Sequence, residues 1–195
     1  MDTRAMLPQT WPWHERLEFW LFYSALPGPP RLGVFYRAML SQDVFTFLQG
    51  RPIAMVASRG PDLQPSVAES VLAEVTETYV VAHVPEHLAG DLARNVEDNG
   101  RGCVLVSRAP GDHRSVQLKG RLSQLDPPRR RTEVGKRLAV ILEEQFAIFM
   151  PRELIQPYLV AFCEQPTYSV RLDIEEVYNQ TPGPRAGNPL SGGNT

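Results

Sequence analysis

Apolar positions follow two rhythms along the middle of the chain. Ile53 to Ser58 is apolar at both parities, which predicts a strand buried on both faces. Gly60, Pro61 and Asp62 then mark a turn over Arg59 to Gln64, and Ser66 to Val75 returns as a second strand. Thr76 to Val84 is rich in β-branched residues and predicts a third. Gly102 to Ser107 and Arg114 to Gln124 predict the fourth and fifth. In the fifth, Val116, Leu118 and Leu122 share one face, while Ser115, Gln117 and Lys119 share the other. Thr167 to Leu172 alternates well enough for a sixth. The helical rhythm appears first at Ser41 to Gln49, with Ser41 as N-cap and Gly50 as stop. It appears again at Glu86 to Val96, where Leu88, Leu92 and Val96 fall in one row. A longer helix is predicted after Asp126, read as an N-cap with Pro127 and Pro128 in the first turn. Another is predicted over Pro151 to Cys163, bent at Pro157.

Six short strands and one helix between strands three and four predict a mainly β fold with peripheral helices. The shape expected is a small β-barrel of the α+β kind. A doubly wound sheet needs a helix after most strands, and strands one to three have none. Residues 1–38 read as an arm carrying Trp11, Trp13 and Trp20, expected to dock on the domain or on a second subunit. Residues 39–178 form the barrel domain. Residues 179–195 form a tail rich in Pro and Gly, expected to be extended or disordered from Thr181.

Bulk properties narrow the field of partners. The chain has 195 residues and a formal charge of −2, so no global field favours nucleic acid or an anionic membrane. The apolar part from Phe19 to Leu26 is too short to span a bilayer, and the N-terminus does not read as a signal peptide. Cys103 and Cys163 match no metal spacing and read as small buried groups, which fits a reducing cytoplasm.

The candidate chemistry is sparse. The end of the third strand runs into a predicted helix start, where unpaired N–H groups would favour an anion. His87 lies at that start, but Glu86 beside it opposes an anion. His83 shares a parity with Tyr79 and Val81 and could line a groove. Ser66 and Ser70 are small enough to let a phosphate approach the second strand. The basic run Arg129 to Arg131 reads as a solvated face of the following helix. No nucleophile with a base and an orienting group is legible. His83 and His87 straddle the break at Pro85, so they cannot share a helix face as zinc ligands.

Three pieces in order carry a resemblance: VFTFLQGRPIAMVASRGPDLQPSV, TYVVAHVPEHLAGDLARN and RSVQLKGRLSQL. Spanning Gln42 to Leu125, they resemble the FMN-binding split barrel of the pyridoxamine 5'-phosphate oxidase superfamily. The resemblance implies a six-stranded split barrel paired as a homodimer, with FMN in a groove shared by the two subunits. It also implies a flavin-dependent oxidoreductase whose small-molecule substrate is not legible. With FMN as the ligand, the candidate contacts in this chain would be Ser66, Ser70, His83, His87, Ser115, Gln117 and Lys119. The last three would meet the polar edge of the isoalloxazine ring, and Lys119 would favour a reduced flavin. The chain departs from the oxidase pattern in several places. Ala68, Ser70 and Ala73 stand near the oxidase's second-strand Arg and Lys, and Pro85, Glu86 and His87 replace its Ser-Arg-Lys. Ser115 stands where it has Gln, and only Arg171 and Leu172 remain of its substrate motif. A diverged relative is therefore expected, not the oxidase itself. The alternatives are a barrel that has lost the flavin and serves as a binding or assembly module, or a haem-binding relative with His83, His87 or His113 as axial ligand.

Overall fold

The computed structural model describes residues 40–50, 53–108, 112–146, 151, 153–154 and 165–190. The aromatic arm and nearly all of the helix expected over Pro151 to Cys163 lie outside these. Six antiparallel strands close into a barrel: β1 (Ile53–Arg59), β2 (Pro65–Val75), β3 (Tyr79–Pro85), β4 (Arg101–Ser107), β5 (Ser115–Arg129) and β6 (Thr167–Asn179). Their order around the barrel is β1-β2-β3-β6-β5-β4, and β4 pairs back onto β1. The barrel form expected from the sequence is the one observed. Closure leaves no strand edge unpaired, which removes the template for edge-to-edge aggregation.

Alternation along each strand fills the barrel. Ala54, Val56, Leu72, Val80, Ala82, Val84, Val104, Val106, Val116, Leu118, Leu122, Val170, Leu172 and Ile174 are buried in one cluster. Helix α1 (Gln42–Gln49) adds Val44, Phe47 and Leu48 to this core. Its N-cap is Ser41, whose hydroxyl accepts from the Val44 N–H at 3.4 Å, and Gly50 ends it. Helix α2 (Leu92–Asp98) contributes Leu92 to the core and buries Asn95, whose amide donates to the Ser58 hydroxyl at 3.0 Å.

Four local expectations are corrected. The helix expected over Glu86 to Val96 is two pieces, a 3-10 turn at Glu86–Leu88 and α2. Gly90, between them, has φ +52°, a left-handed conformation that breaks the helical run. Asp126, Pro127 and Pro128 do not start a helix. They lie in β5, which runs to Arg129, and α3 (Thr132–Phe146) begins only afterwards. The β5–β6 register slips between Ser123 and Asp126 and again between Asp126 and Arg129. Such bulges leave backbone positions out of the ladder, where proline's missing N–H does no harm. The basic run accordingly ends a strand, and Arg131 donates to the carbonyl and hydroxyl oxygens of Thr167.

The fourth correction concerns the C-terminal segment. Residues 180–190 are tied to β5 and β6, not free. The Gln180 N–H donates to the Ser115 carbonyl at 2.8 Å and the Leu190 N–H to the Val177 carbonyl at 2.8 Å, while the Thr181 hydroxyl accepts from the Ser115 N–H at 3.1 Å. Among the described residues, no helix is long and apolar enough to cross a membrane.

Candidate functional site

Side chains that alternate out of the barrel are expected to be wet, yet several on β1, β4 and β5 are not. Ala57, Cys103 and Leu105 form a second buried cluster, with Met55 packed against it. Gln117 on β5 is 1 % exposed. Cross-strand pairing explains how they meet. Ala57 stands opposite Cys103 and Met55 opposite Leu105, while Cys103 faces Lys119 and Leu105 faces Gln117. The next strand then presents Tyr178 beside Gln117 and Glu176 beside Lys119. The result is a buried apolar patch on the outer sheet face with an amide, an amine and a phenol along one side.

Two charges shape this patch. Burial lowers the pKa of Lys119, and the neighbouring Cys103 and Glu176 oppose that shift. The ammonium lies 4.6 Å from the centre of the Tyr178 ring, a cation–π contact. Tyr178 in turn donates to the Glu176 carboxylate at 2.7 Å. Burial pushes the Cys103 thiol up to about 11, so it is a protonated, inert group at neutral pH. The sequence reading treated Cys103 only as a small buried group. Its position in the patch depends on strand register, which carries no local signal.

The seven residues singled out from the sequence fall in several places. Ser115, Gln117 and Lys119 share the outer face of β5, as their alternation with Val116 and Leu118 requires. Ser115 and Gln117 are already engaged. The Ser115 hydroxyl is 3.0 Å from that of Ser107 and donates to the His113 carbonyl at 3.1 Å. The Gln117 carbonyl accepts from the Gln180 amide at 3.0 Å, and the Gln117 amide reaches the Cys103 sulfur at 3.5 Å. On β2 the outward parity belongs to Val67, Glu69 and Val71, so Ser66 and Ser70 point inward with Ala68 and Leu72. Ser70 is 3 % exposed and its hydroxyl has no hydrogen-bond partner, whereas Ser66 donates to the Ala89 carbonyl at 3.4 Å.

His83 is half-buried on β3, opposite Ser169 of β6 and Val71 of β2. His87 is exposed in the 3-10 turn. That turn is three residues long, and its first N–H, from Glu86, donates to the Pro166 carbonyl at 2.9 Å. A single turn aligns too few peptide dipoles to attract an anion as a full helix does. His113, a histidine of the haem alternative, is exposed, with φ +51°.

A second outward cluster was not foreseen. Arg171 lies 3.8 Å from the centre of the Tyr79 ring and donates twice to Asp173, at 2.9 and 2.7 Å. Ser123 donates to the other Asp173 oxygen at 2.9 Å, and Tyr79 donates to Glu74 at 2.6 Å. The Glu74 bond raises the Tyr79 pKa. Every polar group named in this cluster has a partner, so it reads as scaffolding for β3 and β6.

No protein-family model matches the sequence, and no curated protein matches it. Solved structures similar to it include HupZ of Group A Streptococcus, at 15% identity over 76% of this chain and 100% of that one, with a TM-score of 0.44. Another is a pyridoxamine 5'-phosphate oxidase candidate from Lactobacillus delbrueckii, at 13% identity over 73% of this chain and 96% of that one, with a TM-score of 0.44. A third is an FMN-binding protein from Syntrophomonas wolfei, at 10% identity over 85% of this chain and 92% of that one, with a TM-score of 0.40.

Proposed function

We propose that this chain is a diverged, FMN-binding member of the pyridoxamine 5'-phosphate oxidase-like superfamily, and that it acts as a homodimer with oxidoreductase activity. One observation carries the reading. Lys119 holds a half-buried ammonium on the outer sheet face, beside the small buried side chains of Ala57 and Cys103. A cation kept partly out of water is suited to an electron-rich ring edge, because its field is less screened there than in solvent. When bound, the flavin would supply the redox chemistry. The protein would bind, orient and shield it.

The fit is uneven along the ligand. Lys119 suits the ring. At the phosphate end, Ser70 lies in the core, Ser66 is engaged by Ala89, and the His87 turn spends its first N–H on Pro166. These observations favour a second reading, a barrel that has given up the flavin and serves as a binding or assembly module. The internal engagement of Gln117 by Gln180 supports it as well. Absorbance separates the two. A flavoprotein takes up FMN and absorbs near about 450 nm. A colourless protein that ignores added FMN supports the module, and a Soret band supports the haem alternative.

A further inference from the structure

Three arginines stand in one line on the outer face, across three adjacent strands. Arg101 of β4 and Arg121 of β5 are direct cross-strand partners. Ser58 of β1 pairs with Gly102 of β4, so Arg59 stands one register step further, beside Arg101. Parity places all three outside, because Ser58, Gly102 and Leu122 are buried. At the usual strand spacing the first and third backbones are about 10 Å apart, within joint reach of long side chains. Lys119, two residues before Arg121 on the same face of β5, adds a fourth positive charge, with Glu176 beside it.

Like charges directly opposite each other destabilise a sheet. The acids nearby offset this line only in part. Glu175 takes Arg101 alone, at 2.5 Å. Asp173 stands opposite Arg121 and also accepts from Arg171 and Ser123. The Nε of Arg59 is buried and has no hydrogen-bond partner. A buried donor without an acceptor bears its full desolvation penalty. An anion rich in oxygens resolves the repulsion and the orphaned donor together, and guanidinium forks match phosphate oxygens two at a time.

We propose that the line Arg59, Arg101 and Arg121 binds a compact phosphate-bearing anion of diphosphate size. The site lies next to the Lys119 patch, one outward position further along each of the three strands, and stands whether or not FMN binds there. The test is calorimetric titration of the full-length protein with sodium pyrophosphate at low ionic strength, with sodium chloride at matched ionic strength as control. Saturable pyrophosphate binding is expected, weakened roughly tenfold or more in Arg121→Gln, the loss of one charge-assisted contact. Arg121 is exposed, so this variant keeps the core intact. Without ligand it should melt above the wild type at low salt, with the gain vanishing at high salt as screening removes the repulsion. Competition by FMN, with none by riboflavin, would make the phosphate end of a flavin the natural ligand. No competition would make it a free diphosphate. The proposal is overturned if pyrophosphate does no more than matched chloride, or if Arg121→Gln binds it as well as the wild type.

Discussion

Gly120→Ala tests the register that sets the whole outer face. Gly120 sits where the β5–β6 pairing slips, with Lys119 paired to Glu176 and Gly120 to Ile174. A Cβ on Gly120 would lie 1.9 Å from the Asp173 carbonyl oxygen, 3.0 Å from its carbon and 3.1 Å from the Glu175 nitrogen. All three are backbone atoms, so no flexible side chain can swing aside. Either β6 must move outward or the slip must relocate. Moving β6 gives up at least one ladder hydrogen bond, about 1 kcal/mol. It also loosens the packing of Ile174, which is fully buried, for about 2 kcal/mol more. Reduced freedom of the unfolded chain returns at most about 1 kcal/mol. The net loss is about 2–3 kcal/mol, or a fall in Tm of roughly 5–10 °C for a domain of this size. Urea unfolding should show a lower midpoint with an unchanged slope. Gly50→Ala is the control, since there the added carbon meets only the Phe47 carbonyl at 3.2 Å on a right-handed backbone. A Gly120→Ala protein as stable as the control would refute the slip, and with it the placing of Lys119 and Arg121.

Other outcomes follow from the same packing. Cys103 in a Cys163→Ser background should resist iodoacetamide at pH 8 and react only on unfolding, because it is fully buried. Burial pushes its thiol up to about 11, above the ordinary value of 9.0 expected in the unfolded chain. The stability this shift contributes is therefore complete below the unfolded value and lost as pH rises toward the folded one, and denaturation curves across that window check it. Ser41→Ala should cost about 1 kcal/mol by removing the cap on α1, read from the same urea midpoints. Sedimentation should show a species of twice the chain mass; a 21.9 kDa species alone would contradict the dimer.

What the sequence made legible was local. Ser41 and Gly50 marked the ends of α1 because cap chemistry acts within one turn. Ser115, Gln117 and Lys119 were placed on one face because Val116 and Leu118 alternate with them. The same rule applied to β2 separates Ser66 and Ser70 from the outward set, since Ala68 and Leu72 share their parity. The extension of β6 from Leu172 to Asn179 was hidden because the slip at Gly120 breaks the alternation around Glu175 and Glu176. Asp126, Pro127 and Pro128 carry every local signal of a helix start, and β6 overrides them. The ordering of residues 180–190 rests on partners such as Ser115 and Val177, which composition cannot reveal. The arginine line is likewise a product of register between distant segments.

The central claim is that a ligand lies against the outer face of β4 and β5, with Lys119 at its edge. Titrating FMN into the full-length protein and into Lys119→Met, followed near about 450 nm, tests it most directly. The account predicts saturation at one FMN per chain in the wild type and affinity weakened roughly tenfold in the variant, the effect of losing one charge-assisted contact. Equal binding by the two proteins, or no uptake by either, would contradict it.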